Sequence, residues 1–343
     1  MLDDLKYIHD KDAQDALGIA AKQPHQLLHD FKIQKQDFKS VTNIVYAGMG
    51  GSALAATIAS SIPGFKVPFE ISRQYNIPNY VSGNTLFIAA SYSGNTEETI
   101  SALEEAIARK AQIVIISGGG KLQEIAKEKG YLHIQLPKAE QPRYAVFYNL
   151  KALLQLLDSS KLLASEINEN ELKQTAAFLD NEAAKLIPTV PIKQNPAKQL
   201  ALECMGKSIV IYSGPFLTPA AYKWKISFNE NAKNIAWYGT LPEFSHNEFI
   251  GWSSHPQVKP YTVIDLETSY DHPQVTKRFS VSTRLLSGKR PQPHTLNALG
   301  ETPLQHILWT IMMGDFVSIY LGLLNGQNPT PVDLVEKMKK ELA

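Results

Sequence analysis

Cysteine and net charge are both nearly absent from this sequence, and each absence excludes a class of protein. The 343 residues include a single cysteine, Cys204, which excludes an intramolecular disulfide framework and a cysteine-ligated zinc site. Lys and Arg number 34 against 33 Asp and Glu, so the net charge is +1. This balance leaves no basic surplus for nucleic acid or for an anionic membrane surface. We expect neither as a partner.

Long uninterrupted apolar segments are lacking as well. The best candidate, residues 306–324, is broken by Gly314 and Asp315, and its spacing is that of a buried core helix. Asp3 and Asp4 stand where a signal peptide carries Lys or Arg, and no apolar segment follows them. With one cysteine in the chain, these features predict a soluble cytoplasmic protein.

Short apolar segments alternate with amphipathic ones over the first half of the chain. The predicted strands are 43–47, 67–71, 85–90, 112–117 and 132–136, and the predicted helices are 52–60, 96–109, 121–129 and 143–158. This alternation indicates a parallel sheet that is covered by helices on both faces. Ligands bind such sheets at the carboxyl ends of the strands.

A second alternation follows a polar, helical connection. Its predicted strands are 208–213, 234–238 and 260–266, its predicted helices are 218–228, 273–287 and 301–324, and a short helix over 331–342 ends the chain. The order resembles that of the first half, but the turn sequences differ. We predict a duplicated fold with a ligand site only in its first copy. The predicted division is a helical lead-in (1–40), a first domain (41–158), and a second domain with a C-terminal helix (159–343).

Two turns rich in glycine and hydroxyl side chains carry the main functional signal. They are 48–52 and 91–99, each between a predicted strand and a predicted helix, where backbone N–H groups and a positive dipole end converge. Neutral donors without a lysine suit a phosphomonoester better than a metal-bound triphosphate. Helix capping explains one or two of these side chains, but not the shared composition of both turns. The candidate phosphate-binding residues are Gly50, Gly51, Ser52, Ser91, Ser93 and Thr96.

The first turn also fits a dinucleotide-binding fingerprint. Its glycines read Gly48-x-Gly50-x-x-Ala53, and Glu70 ends the next predicted strand, where a ribose-binding acid belongs. A nicotinamide-binding fold does not need the hydroxyl-rich turn after the third strand. We therefore rank dinucleotide binding as the less favoured alternative.

Four further residues are weak candidates when each is considered singly. Arg143 opens a predicted helix on the face where the strand ends gather, and Glu230 lies between two asparagines at a helix end. His246 follows sixteen positions later among polar neighbours, and Lys339 lies in the lysine-rich last helix. An ordinary surface ion pair explains Arg143 without any functional role. A helix cap explains Glu230 or His246, and an ordinary solvated side chain explains Lys339.

Together and in this order, the motifs resemble the bifunctional phosphoglucose/phosphomannose isomerases of the sugar-isomerase (SIS) superfamily. The likeness extends from about residue 40 to the C-terminus, through 48–52, 91–99, 142–143, 229–233, 246–248 and the helix with Lys339. The resemblance implies an α/β fold of two SIS domains, each a doubly wound, flavodoxin-like parallel sheet flanked by helices. It also implies a homodimer.

The resemblance further implies an aldose–ketose isomerase acting on the 6-phosphates of glucose, mannose and fructose, with the two turns holding the phosphate. Glu230 would move a proton between C1 and C2 through a cis-enediol, and Arg143 would stabilise the enediolate. His246, supplied across the dimer interface, and Lys339 would open the sugar ring, with the other lysines of that helix as alternatives to Lys339. No metal and no cofactor are implied.

Two other function classes stay open. SIS domains also serve as binding modules, so a non-catalytic sugar-phosphate sensor is one alternative. Such a sensor normally carries an output domain, and the two paired halves leave no room for one. A nicotinamide-dependent oxidoreductase is the other alternative, on the fingerprint described above.

Overall fold

The computed structural model describes residues 1–33, 36–62, 64–139, 141–164, 169–254 and 260–342. The chain forms two compact units. The first unit is Gln23–Ala177, and the second unit is Met1–Lys22 together with Phe178–Ala343. The segment predicted as a lead-in, 1–40, is thus divided between the two units, and so is the segment 159–196.

The chain begins with two short helices of the second unit, α1 (Leu5–Lys11) and α2 (Ala16–Lys22). The Tyr7 hydroxyl donates a 2.7 Å hydrogen bond to the carbonyl of Leu323, more than 300 positions away. This contact and the burial of Leu17 explain why the first 22 residues belong to the second unit.

The first unit is a five-stranded parallel sheet with helices between the strands, and all five predicted strands are present. The strand order is β2-β1-β3-β4-β5, which is the flavodoxin-like order, so the predicted fold class is confirmed. Its elements, with α7 running into the second unit, are β1 (Asn43–Ala47), α3 (Gly50–Ser61), β2 (Phe69–Ser72), β3 (Thr85–Ser91), α4 (Glu97–Ala108), β4 (Gln112–Ser117), α5 (Gly120–Lys129), β5 (Leu132–Gln135), α6 (Val146–Ser159) and α7 (Glu169–Ala183).

The strand order of the first unit determines where a ligand can bind. Every residue of β3 is buried, as expected for a central strand covered on both faces. From β1 the chain first adds β2 on one side and then β3 on the other. The carboxyl ends of β1 and β3 therefore border the crevice at which ligands bind in doubly wound sheets.

The second unit contains a four-stranded parallel sheet of order β7-β6-β8-β9, which repeats the first four positions of the other sheet. The strand β9 was not predicted because its sequence, HTLN, is short, mostly polar and only half buried. The remaining elements are α8 (Pro196–Cys204), β6 (Ser208–Ser213), α9 (Thr218–Asn231), β7 (Ala236–Thr240), α10 (Glu248–Gly251), β8 (Tyr261–Glu267), α11 (Pro273–Leu285), β9 (His294–Asn297), α12 (Pro303–Leu324) and α13 (Asp333–Leu342).

The helix α12 is the core helix of the second unit. Within the described ranges, it is the one helix that is long and apolar enough to cross a membrane, but 94% of its most apolar window is buried inside the protein. It packs against α9 and α8. This burial agrees with the core helix predicted from the interruption at Gly314 and Asp315.

Candidate active site

The turn after β1 places two glycines at the start of α3. Gly50 has a positive φ of 48°, a conformation that glycine adopts without the strain of a side chain. Gly50 and Gly51 are the first residues of α3, so their N–H groups have no partner within the helix. A Cβ atom on Gly51 would lie 3.2 Å from the carbonyl oxygen of Pro142. Glycine therefore permits the segment 142–144 to approach the start of α3.

Ser52 connects the two predicted turns. Its side chain is buried, and its Oγ accepts a 3.0 Å hydrogen bond from the backbone N–H of Tyr92, which follows β3. The Tyr46 hydroxyl donates to the carbonyl oxygen of Ser52 at 2.9 Å. The Ser52 hydroxyl thus helps to hold the turns together, while its own hydrogen can still be donated to a ligand.

Three hydroxyls cluster in the turn after β3. Ser91 Oγ lies 2.7 Å from Thr96 Oγ1 and 3.3 Å from Ser93 Oγ. Thr96 is the N-cap residue of α4, but its side chain makes no capping hydrogen bond. A capping role therefore does not explain why a threonine stands at this position. Its hydroxyl instead contacts Ser91 in the cluster, at the positive end of the helix dipole.

A third turn, which was not predicted as functional, supports this cluster. It is the glycine run 118–120 after β4, where the N–H of Gly118 donates to the Tyr92 carbonyl at 2.9 Å. The N–H of Leu122 donates to the Gly94 carbonyl at 3.0 Å. Gly94 has φ +71°, and a Cβ there would lie only 1.7 Å from the Gly119 carbonyl oxygen. In the sequence, the three consecutive glycines after a predicted strand are the feature that could have predicted this supporting turn.

Arg143 lies beside the first turn. It belongs to a short 3₁₀ helix, Pro142–Tyr144, and α6 begins at Val146 rather than at residue 143 as predicted. The residue is 2% exposed, and its guanidinium carbon lies 4.7 Å from the centre of the Tyr144 ring. The first unit thus places the backbone of Arg143, a buried cationic residue, beside the start of α3, where a Cβ on Gly51 would lie 3.4 Å from the Arg143 Cα.

Glu70 does not have the surroundings that the dinucleotide alternative requires. Its carboxylate accepts a short hydrogen bond from the Tyr80 hydroxyl. Burial and this hydrogen bond to Glu70 raise the pKa of Tyr80. A carboxylate already bound to a phenol is a poor candidate for binding a ribose hydroxyl.

The other candidate residues lie on three separate elements of the second unit. Glu230 is half-buried in the last turn of α9, and His246 is exposed at the end of a 3₁₀ helix, Glu243–His246. Lys339 is exposed on α13, where it forms a 2.8 Å ion pair with Glu336. Their convergence with the turns 48–52 and 91–99 stays a prediction.

The second sheet carries carboxylates where the first carries hydroxyls. Asp271 follows β8, and its Oδ1 accepts a 3.0 Å hydrogen bond from the N–H of Phe216 in the turn after β6. Burial first, then repulsion by Asp265 and Asp271, raise the pKa of Glu267 to about 7. This acidic environment disfavours phosphate, and a ligand site only in the first half stays a prediction.

Metal-ligand chemistry has no obvious centre in the part of the chain that the structure describes. There, no group of three or more His, Cys, Asp or Glu side chains is placed to hold a metal ion. The lone cysteine, Cys204, is buried, and burial raises the pKa of its thiol to about 12. A thiol that stays protonated is inert as a nucleophile.

Two family models match this chain. Residues 37–160 match the SIS domain, and residues 193–342 match the bacterial phospho-glucose isomerase C-terminal SIS domain. Among solved structures, a glucose-6-phosphate isomerase like protein from Thermus thermophilus has a TM-score of 0.67, with 18% identity, covering 99% of this chain and 98% of that one. At this identity the likeness shows the fold alone.

Curated relatives are similar along almost the whole chain. The bifunctional phosphoglucose/phosphomannose isomerase of Caldicellulosiruptor bescii is 32% identical over 93% of this chain and 96% of its own, and that of Aquifex aeolicus is 33% identical over 90% and 92%. A D-glucosamine-6-phosphate 4-epimerase of Sulfolobus acidocaldarius is 31% identical over 67% of this chain and 72% of its own. On its fold, its two SIS domains and these full-length similarities, the chain belongs to the bifunctional phosphoglucose/phosphomannose isomerase family.

Proposed function

We propose that this protein is an aldose–ketose isomerase that interconverts glucose 6-phosphate and mannose 6-phosphate with fructose 6-phosphate. The observation that carries the proposal is the cluster of Ser91, Ser93 and Thr96 at the switch point of the first sheet, on a chain whose full-length relatives are such isomerases.

The sugar 6-phosphate binds at the two turns. The N–H groups of Gly50 and Gly51 and the dipole of α3 attract the anion from one side. The clustered hydroxyls of the second turn, with that of Ser52, donate from the other side. All of these donors are neutral, so binding favours the dianionic phosphomonoester without a bridging cation.

After ring opening, a proton is transferred between C2 and C1, which is the carbonyl carbon of the open-chain aldose. The Glu230 carboxylate takes the proton from C2 of the open-chain aldose, the C–H electron pair forms the C1–C2 double bond, and the C1=O electron pair moves onto O1 to give a cis-enediolate. The O2 proton then passes to O1, the O2 electrons form the C2=O bond, and the proton held by Glu230 is delivered to C1, which gives the ketose. Arg143, a buried cationic residue whose backbone lies beside Gly51, stabilises the negative charge on oxygen.

Ring opening precedes proton transfer and needs a proton moved between O1 and O5 of the sugar. His246 and Lys339 exchange this proton in the proposed mechanism. Because His246 is exposed on its own chain, a second copy can supply it, and we propose a cytoplasmic homodimer whose sites contain residues of both subunits.

A coupled assay tests the proposed function directly. Purified protein is incubated with fructose 6-phosphate and glucose-6-phosphate dehydrogenase, and then with mannose 6-phosphate and coupling enzymes free of phosphoglucose isomerase. Turnover of both substrates is expected, and turnover of fructose 6-phosphate alone would restrict the activity to phosphoglucose isomerisation. Saturable binding without turnover would favour the non-catalytic sensor, and reduction of NAD(P)⁺ without the coupling enzyme would favour the oxidoreductase.

Glucosamine 6-phosphate is the informative additional substrate. It separates isomerisation from the C4 epimerisation named for the Sulfolobus acidocaldarius relative. Chromatographic analysis is expected to show no C4 epimer, because the proposed base acts at C1 and C2. Formation of that epimer, without fructose 6-phosphate turnover, would replace the isomerase proposal.

A further inference from the structure

The residues that flank Glu230 in the sequence are each bound to a different neighbouring segment. Asn229 Oδ1 accepts a 3.0 Å hydrogen bond from the N–H of Ala236, which begins β7. Asn231 Nδ2 donates to Ser318 Oγ on α12 at 2.9 Å. The last turn of α9 is thereby bound to the sheet on one side and to the core helix on the other.

The residues just after α9 are bound in the same way. The carbonyl oxygen of Ala232 accepts a 3.1 Å hydrogen bond from Asn325 Nδ2, at the end of α12. Lys233 has a positive φ of 50°, and its Nζ donates to the carbonyl of Asn328 at 2.6 Å. The backbone on which Glu230 is carried is therefore held on both sides in sequence.

The helices α9 and α12 approach each other closely at this turn. A Cβ on Gly322 would lie 2.6 Å from the carbonyl oxygen of Asn231 and 3.4 Å from the Cα of Ala232. These are backbone atoms, so a larger residue at 322 would displace the last turn of α9 itself. Glycine at 322 therefore sets the distance between Glu230's turn and α12.

A buried ionic contact fixes the register of the same two helices. Lys223 of α9 pairs with Asp315 of α12, and Ser227 Oγ lies 2.7 Å from the same carboxylate oxygen; all three residues are fully buried. A buried ion pair tolerates little displacement, because separated charges lose their compensation. Sliding or rotation of α9 on α12 is thus opposed along its length.

We infer that Gly322, Ser318 and Asn231 are positioning residues, which hold the Glu230 carboxylate where it reaches the C2 proton of the substrate. The inference rests on the proposed function, in which Glu230 is the base. Proton transfer requires a nearly fixed distance, and a displacement of about 1 Å can lower a rate by about 100-fold. The α9–α12 contact thus acts on the chemical step and not only on stability.

The decisive variant is Gly322→Ala, with Gly314→Ala as its matched control. Both add one methyl group to α12 against α9, but the Cβ at 314 would meet the Trp224 side chain, 2.3 Å from its Nε1. Trp224 lies six residues, or about 9 Å of helix, before Glu230. We expect Gly322→Ala to lower kcat by about 10- to 100-fold with KM for fructose 6-phosphate within about twofold. Gly314→Ala is expected to lower stability through the buried Trp224 ring, with a smaller loss of kcat than Gly322→Ala and an unchanged isotope effect.

A kinetic isotope effect distinguishes positioning from loss of folded protein. With [2-²H]glucose 6-phosphate, the primary isotope effect on kcat rises when proton transfer becomes slower than the other steps. It does not depend on the concentration of active enzyme. We expect a larger isotope effect for Gly322→Ala than for the wild type, and the same direction for Ser318→Ala, which removes only one hydroxyl and decides the question if Gly322→Ala fails to fold.

Three results would overturn the inference, and they are distinguishable. A wild-type kcat and isotope effect in both Gly322→Ala and Ser318→Ala, with Glu230→Gln inactive, would leave the proposed base in place and remove the positioning role. Wild-type turnover by Glu230→Gln would remove the base, and the inference with it. An equal loss of kcat in Gly314→Ala and Gly322→Ala, without a change in isotope effect, would show a purely structural contact.

Discussion

Replacement of Gly94 by alanine is the sharpest test of how the phosphate turns are built. Gly94 and Gly130 both have φ +71°, but a Cβ at Gly130 would meet nothing within 4 Å. A Cβ at Gly94 would lie 1.7 Å from the Gly119 carbonyl oxygen. The two substitutions therefore share the same left-handed φ, and the steric conflict at Gly94 is what separates them.

The expected losses of unfolding free energy follow from the left-handed strain and from the steric conflict. Left-handed backbone costs a non-glycine residue about 1–2 kcal/mol, which is the whole effect expected for Gly130→Ala. Gly94→Ala must also move the Gly119 carbonyl from 1.7 Å to at least 3.0 Å, and overpacking of this kind costs about 1–3 kcal/mol more. The additional loss corresponds to a further decrease in Tm on the order of 5 °C.

The functional effect is larger because the displaced turn holds the hydroxyls. Ser93 and Thr96 flank Gly94, and loss of one charge-assisted hydrogen bond to phosphate costs about 1.5–3 kcal/mol. KM for fructose 6-phosphate is thus expected to rise at least about tenfold in Gly94→Ala and to stay within about twofold in Gly130→Ala. Thermal unfolding and steady-state kinetics of the two variants provide the comparison. Equal Tm and equal KM values in the pair would refute the reasoning.

Three other expectations are testable with the same assays. The double variant Ser91→Ala with Thr96→Ala is expected to raise KM for the 6-phosphates by more than about tenfold with little change in Tm; an unchanged KM would place the phosphate elsewhere. The pKa of Glu267 is raised to about 7, above its ordinary 4.5, so its stabilising contribution is present below about pH 4.5 and lost as pH rises to 7. Glu267→Gln should therefore stabilise the protein by about 1–2 kcal/mol at pH 8 and by much less at pH 5 in urea unfolding, and equal gains at both would contradict the pKa. Dialysis against EDTA is expected to leave turnover unchanged, and loss of turnover that zinc restores would contradict a mechanism based on protein charges.

Local chemistry was sufficient to predict much of the fold. The strand 43–47 and the strand 208–213 have the predicted bounds, because a short apolar run between turn residues has few alternatives to a buried strand. Glycine and hydroxyl side chains likewise mark the turns at 48–52 and 91–96, since those positions need free N–H donors and tolerance of positive φ. Family membership followed from the order of such motifs along the chain.

Contacts between distant segments could not be predicted in this way. Nothing in the local pattern indicates that Arg143 would lie against Gly51, or that the glycine turn at 118–120 would close over Gly94. The strand β9 is too short and polar to stand out, and it exists because β8 offers an unpaired edge. Each of these features depends on where the chain returns in space.

Side-chain period and turn chemistry act over a few neighbouring positions, so they were enough to predict the kind of sheet and to propose which turn residues bind a phosphate. What holds those residues in place depends on packing between segments that are far apart in the chain. Gly322 shows the reason. Glycine is needed there because a side chain would collide with the backbone of Asn231, and the two residues come close only after α9 and α12 have packed.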